Sequence, residues 1–226
     1  QNPSTSSCSV ATAWALPTIQ SARFYKGTVD NNGAVTEADL SFTGFPTVGS
    51  VTTYDSTSFC PDSASTATSI ATGHKTESGV INMCPWTRDV PYETIAEKLH
   101  AQKGYKVGVI SSVNIDHATP AAFYAHQKTR KNYYQIGVEL ANSGFEYFAG
   151  GEFQKVNGDG TDPNNHEVAA QAGYNVVTTS RCCCPEGRGR QDPDHCREPG
   201  RRQVHELRHG CCSGRVAADR LCPQGH

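Results

Sequence analysis

Apolar and polar positions follow two alternating periods along the middle of the chain, one typical of strands and one typical of helices. Short runs of β-branched and aromatic residues predict strands at 48–54, 106–112, 145–148 and 174–178, and we expect the strand at 106–112 to be buried. Helical spacing and cap signals predict helices at 18–26, 63–72, 92–102, 120–126, 133–141 and 167–171, with Gly27 ending the first and Gly73 capping the second. Strands and helices in turn predict an α/β fold with a mostly parallel sheet covered by helices on both faces.

The composition changes abruptly near residue 180. Seven of the ten cysteines and nine of the twelve arginines follow this point, whereas all eight lysines precede residue 156. Residues 181–226 contain few large apolar side chains, too few for burial to offset the entropy of ordering a chain. We expect this Arg/Cys-rich tail to be disordered or to be translated from a shifted reading frame.

Charge and hydropathy exclude two classes of partner. The net charge of the 226-residue chain is −2, so the charge balance predicts no nucleic-acid partner. No apolar run approaches the length that crosses a bilayer, so we expect no transmembrane segment.

A serine with the setting of a nucleophile lies at the start of the second predicted helix. Asp62 and Ser63 precede a run of small residues, Ala64-Ser65-Thr66-Ala67-Thr68. A helix N-terminus offers unpaired backbone N–H groups and the positive end of the helix dipole, which favour an anion. Small side chains let an anionic group approach the backbone. The pattern is typical of a serine that attacks phosphorus, although an N-cap cluster is the ordinary alternative.

A second polar segment follows the predicted strand at 106–112. It runs from Asp116 through His117 and Thr119 to Arg130. Ligands of α/β proteins bind beyond the carboxyl ends of the strands. A histidine nitrogen, a hydroxyl oxygen and a guanidinium that can hold two phosphate oxygens are therefore expected together there.

These two segments together resemble the alkaline phosphatases. The resemblance rests on 62–68, on Gly73-His74-Lys75-Thr76, on 117–122 with Arg130, and on the stretch 143–151. It covers roughly residues 17–180, which we interpret as a partial alkaline-phosphatase-like α/β domain. Residues 1–16 form an atypical N-terminal segment, so the domain is expected to be incomplete at both ends.

The resemblance implies phosphomonoester hydrolysis through a phosphoserine intermediate. Ser63 would be the nucleophile, bound to and activated by a zinc ion, and Arg130 would clamp the phosphate oxygens. Asp62 would orient that arginine. Thr119 and His117 would contribute to a magnesium site, in which histidine replaces the aspartate of some members. The implied cofactors are thus Zn²⁺ and Mg²⁺, and two-metal sites stabilise both the attacking and the leaving oxygen.

The sequence departs from the family pattern at the metal ligands. The family's metal-bridging aspartate is expected near 12–15, where this chain has Thr-Ala-Trp-Ala. The remaining zinc ligands come from the family's C-terminal half, which this sequence lacks. We therefore expect little or no phosphatase activity from the chain as written.

The resemblance also implies a location and an assembly for the protein. Family members act on small phosphomonoesters, are secreted or periplasmic, and are often homodimers. We therefore expect a periplasmic or extracellular location. Cys60 and Cys84 flank the serine segment and are a candidate disulfide in an oxidising compartment, although the pairing cannot be read from sequence.

Two further interpretations stand beside the phosphatase. His205-Glu206-Leu207-Arg208-His209 matches the H-E-x-x-H motif of zinc metallopeptidases, which requires both histidines on one helix face. No apolar face supports a helix there, and chance is the simpler origin; the tail cysteines are an alternative metal-binding set of no familiar spacing. The third reading is a non-catalytic phosphatase fragment that binds phosphate weakly or not at all.

Overall fold

The computed structural model describes residues 6–8, 10, 16–47 and 49–177, and the backbone of 178–179 and 202–207. The chain divides into two compact units, Gln1–Thr52 and Thr53–His226. Within the described residues, no helix has both the length and the apolar character needed to span a bilayer.

The first unit contains one helix, α1 (Leu16–Asp30), in its described part. The predicted helix is confirmed, but the predicted stop at Gly27 is wrong. A Cβ atom at Gly27 would lie 2.1 Å from the carbonyl oxygen of Thr36, so this glycine allows the following loop to approach the helix. Arg23 holds the same loop through ion pairs with Glu37 and Asp39.

The predicted strand at 48–54 is absent. Residues 49–54 have no regular structure. Val51 is 85% exposed, so burial does not favour an extended conformation there, and this segment pairs with none of the described strands.

The second unit is an α/β assembly with a four-stranded sheet. Its elements in chain order are α2 (Ser63–Thr72), α3 (Ile95–Lys103), β1 (Gly108–Asn114), α4 (Ala118–Ala121), α5 (Tyr133–Asn142), β2 (Tyr147–Gly151), α6 (Asn165–Gln171), β3 (Tyr174–Thr179) and β4 (Arg202–Leu207). The strand order is β1-β2-β4-β3, and every neighbouring pair is parallel. The predicted α/β class is therefore confirmed.

Two predicted elements differ in detail from the observed ones. Strand β1 was expected to be buried, but it lies at one edge of the described sheet. Val109 is buried, whereas Ile110 is 69% exposed. The helix predicted at 120–126 is only the short α4, because the chain then turns so that Gln127 can form a bridge with Ile81.

Six residues of the Arg/Cys-rich tail belong to the sheet. Strand β4 lies between β2 and β3, with Gln203 opposite Tyr147 and Arg202 opposite Tyr174. At these six positions the backbone departs from the expected disorder. The remainder of the tail and residues 11–15 lie outside the described residues, and the proposed division at 16 and 180 stays a prediction.

Alanine-rich faces bring the two polar segments together. Helix α2 buries Ala64, Ala67 and Ala71, and it packs against α4, which buries Ala118 and Ala121. Small side chains on both faces allow the two helix backbones to come close. This contact positions the start of α2 beside the segment that carries His117 and Arg130.

Candidate active site

The start of α2 is fixed by an aspartate cap. Asp62 has extended backbone geometry, and its Oδ1 atom accepts a hydrogen bond of 3.0 Å from the backbone N–H of Ser65. Ser63 is the first residue of the helix and is half-buried. The helix ends at Gly73 in the left-handed conformation, as the sequence predicted.

Asp62, Arg130 and His117 form one chain of hydrogen bonds. The Nη1 atom of Arg130 donates to Oδ2 of Asp62 at 2.9 Å, and Nη2 lies 3.1 Å from Nε2 of His117. The backbone N–H of Arg130 donates to the carbonyl of Gly79 at 2.7 Å. The arginine is therefore held from both its backbone and its guanidinium, next to the residue that precedes Ser63.

The charges of this chain of contacts reinforce its geometry. Burial opposes ionisation of Asp62, but hydrogen bonds from the Ser65 and Gly79 backbones and from Arg130 outweigh burial and lower its pKa. Burial and the charge of Arg130 lower the pKa of His117. Because a guanidinium only donates, Nε2 of a neutral His117 accepts this bond and Nδ1 carries the proton. Nδ1 is buried and has no partner among the described residues.

The structure brings some of the sequence-predicted residues into contact and leaves others only nearby along the chain. Asp62, Arg130 and His117 touch. Ser63 follows Asp62 directly, and Thr119 lies two residues beyond His117, half-buried in α4. His117 occupies the N-cap position of α4 but makes no cap bond with its side chain.

Sequence reasoning missed a buried carboxylate behind this site. Asp55 is 5% exposed and accepts hydrogen bonds from the hydroxyls of Ser65 and Ser78. Its second oxygen accepts from the backbone of Thr57 and Ser58, as a turn-forming aspartate does. The turn was readable from Asp-Ser-Thr-Ser, but the contacts with Ser65 and Ser78 come from tertiary structure.

The described residues do not make a metal site by themselves. In the part of the chain that the structure describes, no group of three or more His, Cys, Asp or Glu side chains could hold an ion. Nε2 of His117 is engaged by Arg130, and Thr119 offers a hydroxyl alone. Structural and catalytic zinc sites need at least three protein ligands, and magnesium needs several oxygens. The donor set here therefore fits neither ion without further ligands.

Two other sequence hypotheses meet the structure differently. Arg202–Leu207 is a strand, so the part of the H-E-x-x-H motif that is described, His205 and Glu206, lies on extended backbone and not on the helix that a metallopeptidase needs. His209 lies outside the described residues. Cys60 and Cys84 are free thiols, and the Sγ atom of Cys84 contacts the side chains of Thr87 and Asp89 instead.

The fold and the site together define a class of protein. It is an α/β protein with a serine at a capped helix start and an ion-paired arginine beside that serine. Comparison with known proteins identifies the family. The alkaline phosphatase family model matches residues 11–148. Alkaline phosphatase 4 of Drosophila melanogaster is 35% identical over 164 residues, covering 66% of this chain and 27% of the relative. The chain belongs to the alkaline phosphatase family.

A second curated relative is similar in sequence, and a solved structure is similar in fold. Alkaline phosphatase 4 of Bacillus subtilis is 32% identical over 174 residues, which cover 73% of this chain and 36% of the relative. The solved alkaline phosphatase of the Antarctic bacterium TAB5 has a TM-score of 0.64 at 24% identity, covering 81% of this chain and 50% of that one. A variant of the TAB5 enzyme was solved with Mg bound. The chain thus spans about a third of the two curated relatives and half of the solved one.

Proposed function

We propose that this chain carries the nucleophile and the oxyanion clamp of a phosphomonoester hydrolase, with small phosphomonoesters as its substrates. The observation that carries the proposal is the 2.9 Å ion pair between Arg130 and Asp62, the residue directly before Ser63. This pair brings a guanidinium to the N-terminal end of α2, where backbone N–H groups and the helix dipole favour an anion. Membership of the alkaline phosphatase family supports the same chemistry.

Arg130 retains donors for a phosphate after its protein contacts are made. A guanidinium has five N–H groups. One N–H on Nη1 is directed to Asp62 and one on Nη2 to His117. The second N–H of each Nη atom is then available for two oxygens of a phosphoryl group. Asp62 and His117 therefore orient the arginine without exhausting it.

Ser63 is the proposed attacking group. Its oxygen would form a bond to phosphorus while the bond between phosphorus and the ester oxygen breaks. The alcohol leaves with a proton, the serine hydroxyl loses its proton, and water then releases inorganic phosphate from phosphoserine. Among the described residues, the Ser63 hydroxyl has no hydrogen-bond partner, so it is free to turn toward a bound phosphoryl group.

The metal roles are proposals about a larger ligand set. Zinc activates a serine hydroxyl by lowering its pKa, and Ser63 is the residue that would receive this effect. Thr119 and His117 are the proposed contributors to a magnesium site. Each ion would need ligands beyond the described residues. We therefore expect the chain alone to bind phosphate and to hydrolyse phosphomonoesters slowly.

A phosphate titration with matched serine variants tests this function. Inorganic phosphate binding is measured by calorimetry, and p-nitrophenyl phosphate hydrolysis by absorbance, for the wild type, Arg130→Ala, Ser63→Ala and Ser69→Ala. Ser69 lies on the same helix and is the control. We expect Arg130→Ala to weaken phosphate binding at least tenfold, because it removes charge-assisted bonds. Hydrolysis that survives in Ser63→Ala would contradict the proposed nucleophile.

Location and assembly are proposed on family membership alone. The relatives include a membrane-bound alkaline phosphatase of Bombyx mori. We propose a periplasmic or extracellular location, tested by fractionation of the source cells, and a homodimer, tested by light scattering of the purified chain.

A further inference from the structure

A buried carboxylate lies behind the proposed clamp and belongs to none of the sequence motifs. Asp55 is 5% exposed, and its two oxygens accept five hydrogen bonds. Oδ1 accepts from the backbone and hydroxyl of Thr57 and from the backbone of Ser58, at 2.7 to 3.0 Å. Oδ2 accepts from the hydroxyls of Ser65, at 2.8 Å, and Ser78. Asp55 is thus anchored by its own turn on one side and directed at two serines on the other.

The first of these serines connects Asp55 to the cap of α2. Ser65 is fully buried, and its backbone N–H is the donor that Asp62 accepts. Its hydroxyl oxygen lies 3.0 Å from the same Asp62 oxygen and 2.8 Å from Asp55. A hydroxyl has one proton, and Asp55 offers the shorter bond. Asp55 thereby fixes Ser65, whose backbone N–H binds Oδ1 of Asp62, while Oδ2 of Asp62 accepts from Arg130.

The second serine connects Asp55 to the loop on the other side of Asp62. Ser78 directly precedes Gly79, which is in the left-handed conformation at φ +80°. The carbonyl of Gly79 accepts the backbone N–H of Arg130 at 2.7 Å, and the N–H of Gly79 is one of the donors that lower the pKa of Asp62. Fixing Ser78 therefore fixes the backbone group that holds Asp62 and the one that holds Arg130.

We propose that Asp55 is a positioning residue of the phosphate clamp, acting through Ser65 and Ser78 on the Asp62–Arg130 ion pair. The inference rests on the proposed function, because it assigns Asp55 a role in binding the phosphoryl group. Asp55 touches neither the proposed nucleophile nor the guanidinium. It fixes both sides of the Asp62 carboxylate, and that carboxylate orients Arg130.

The charge of Asp55 persists over the pH range in which the clamp would work. Burial disfavours its ionised form, but hydrogen bonds from Ser78, Thr57 and Ser65 outweigh burial and lower its pKa to about 2. Asp55 is therefore an anionic acceptor at neutral and alkaline pH. An asparagine at this position keeps the shape and weakens both serine contacts.

The test uses the full 226-residue chain and two readouts. Calorimetry gives the Kd of inorganic phosphate, and ¹⁵N NMR follows the guanidinium signals of Arg130, assigned with an Arg130→Lys variant. The variants are Asp55→Asn, Ser78→Ala and Ser78→Thr, with Asp159→Asn as the exposed aspartate control. Ser78 is exposed, so threonine fits there and keeps the hydroxyl.

We expect Asp55→Asn and Ser78→Ala to raise the phosphate Kd about tenfold, as the loss of one charge-assisted hydrogen bond does. Both should also speed rotation of the Arg130 guanidinium, which a general loss of stability would not do in a folded protein. Ser78→Thr and Asp159→Asn should resemble the wild type.

Several results would overturn the inference. Wild-type Kd and wild-type Arg130 signals in Asp55→Asn and Ser78→Ala, with unchanged circular dichroism, would refute it. If Asp55→Asn does not fold, the comparison of Ser78→Ala with Ser78→Thr tests the inference. Equal phosphate Kd values and equal Arg130 signals in these two variants would refute it. If the wild type binds no phosphate, the proposed function fails, and the Arg130 signals alone then show whether Asp55 positions the ion pair.

Discussion

Removal of the Asp62 carboxylate is expected to destabilise the second unit. The free-energy cost has two contributions that can be separated, one from the helix cap and one from the negative charge. Asp62→Ala removes the cap bond to the Ser65 N–H, the bond from Gly79 and the ion pair with Arg130. Loss of an N-cap costs about 1 kcal/mol. Loss of hydrogen bonds to a charged acceptor costs about 1.5 to 3 kcal/mol each in buried settings, less here because both side chains are about a quarter exposed. The expected total is about 3 kcal/mol.

Asparagine at the same position separates these two parts. Asn caps helices as well as Asp, so Asp62→Asn keeps the cap and loses the charge. We expect it to cost about 1 kcal/mol. Asp159→Ala is the control, because Asp159 is 96% exposed outside any helix and solvent screens its ion pair with Lys155, so we expect little effect on stability.

The pH dependence has a definite sign. The pKa of Asp62 is lowered in the folded protein, so its stabilising effect is complete above the unfolded value of about 3.9 and is lost as pH falls through the folded value. The cost of Asp62→Asn should therefore shrink on acidification.

Urea unfolding followed by circular dichroism, and hydrogen exchange of the Ser65 amide, measure these effects. Equal midpoints for Asp62→Ala, Asp62→Asn and Asp159→Ala would refute the reasoning. A Ser65 amide that exchanges equally fast in the wild type and in Asp62→Ala would refute the cap assignment.

Three further predictions concern other parts of the second unit. Gly137→Ala would place a Cβ atom 2.1 Å from the amide nitrogen of the buried Asn165, and we expect a loss of about 1 to 3 kcal/mol in urea unfolding. Gly108→Ala is the control, because a Cβ atom there would meet Tyr147 at an ordinary distance of 3.6 Å. Burial tends to lower the pKa of His126, but contacts with Glu97 and the Tyr92 carbonyl outweigh burial and raise it. The stabilisation from protonated His126 is therefore present below about pH 6.5 and lost as pH rises through the pKa of the folded protein. The difference in melting temperature between the wild type and His126→Gln should narrow from pH 6 to pH 9. Added zinc should not raise p-nitrophenyl phosphate turnover to the rate of a full-length family member, because the described residues lack a cluster of three metal ligands. Turnover at that rate would contradict this prediction.

Elements that carry their own signals were readable from sequence. Asp62 before a run of small residues and Gly73 after it predicted α2 with both caps. The apolar face of α5 predicted a helix over 133–141, observed as Tyr133–Asn142 with Ile136 and Leu140 buried. Such signals lie within one turn or one face of an element, so they do not depend on the rest of the fold.

Features set by distant parts of the chain were not readable. Gly27 looks like a helix stop, yet it serves a close approach to Thr36. Val109 and Ile110 lie on opposite faces of β1, and only the Val109 face is covered, which depends on how other elements pack on the sheet. Asp55 reaches Ser78 across 23 residues of sequence, and no local pattern encodes that contact. Such contacts depend on how the elements pack.

The candidate site was partly readable for the same reason. The residue types at 62, 63, 117 and 130 predicted a phosphate site. The structure places the side chains of Arg130, Asp62 and His117 in contact, and phosphate binding there stays a prediction. The contact between Arg130 and Nε2 of His117 is visible only in the structure.

The most direct measurement of the central claim is a crystal structure of the chain soaked with tungstate, a tetrahedral oxyanion that mimics phosphate. We expect one ion at the N-terminal end of α2, within hydrogen-bond distance of both the Ser63 hydroxyl and the Arg130 guanidinium. An ion that binds elsewhere, or a guanidinium that faces away from Ser63 with the oxyanion bound, would contradict it.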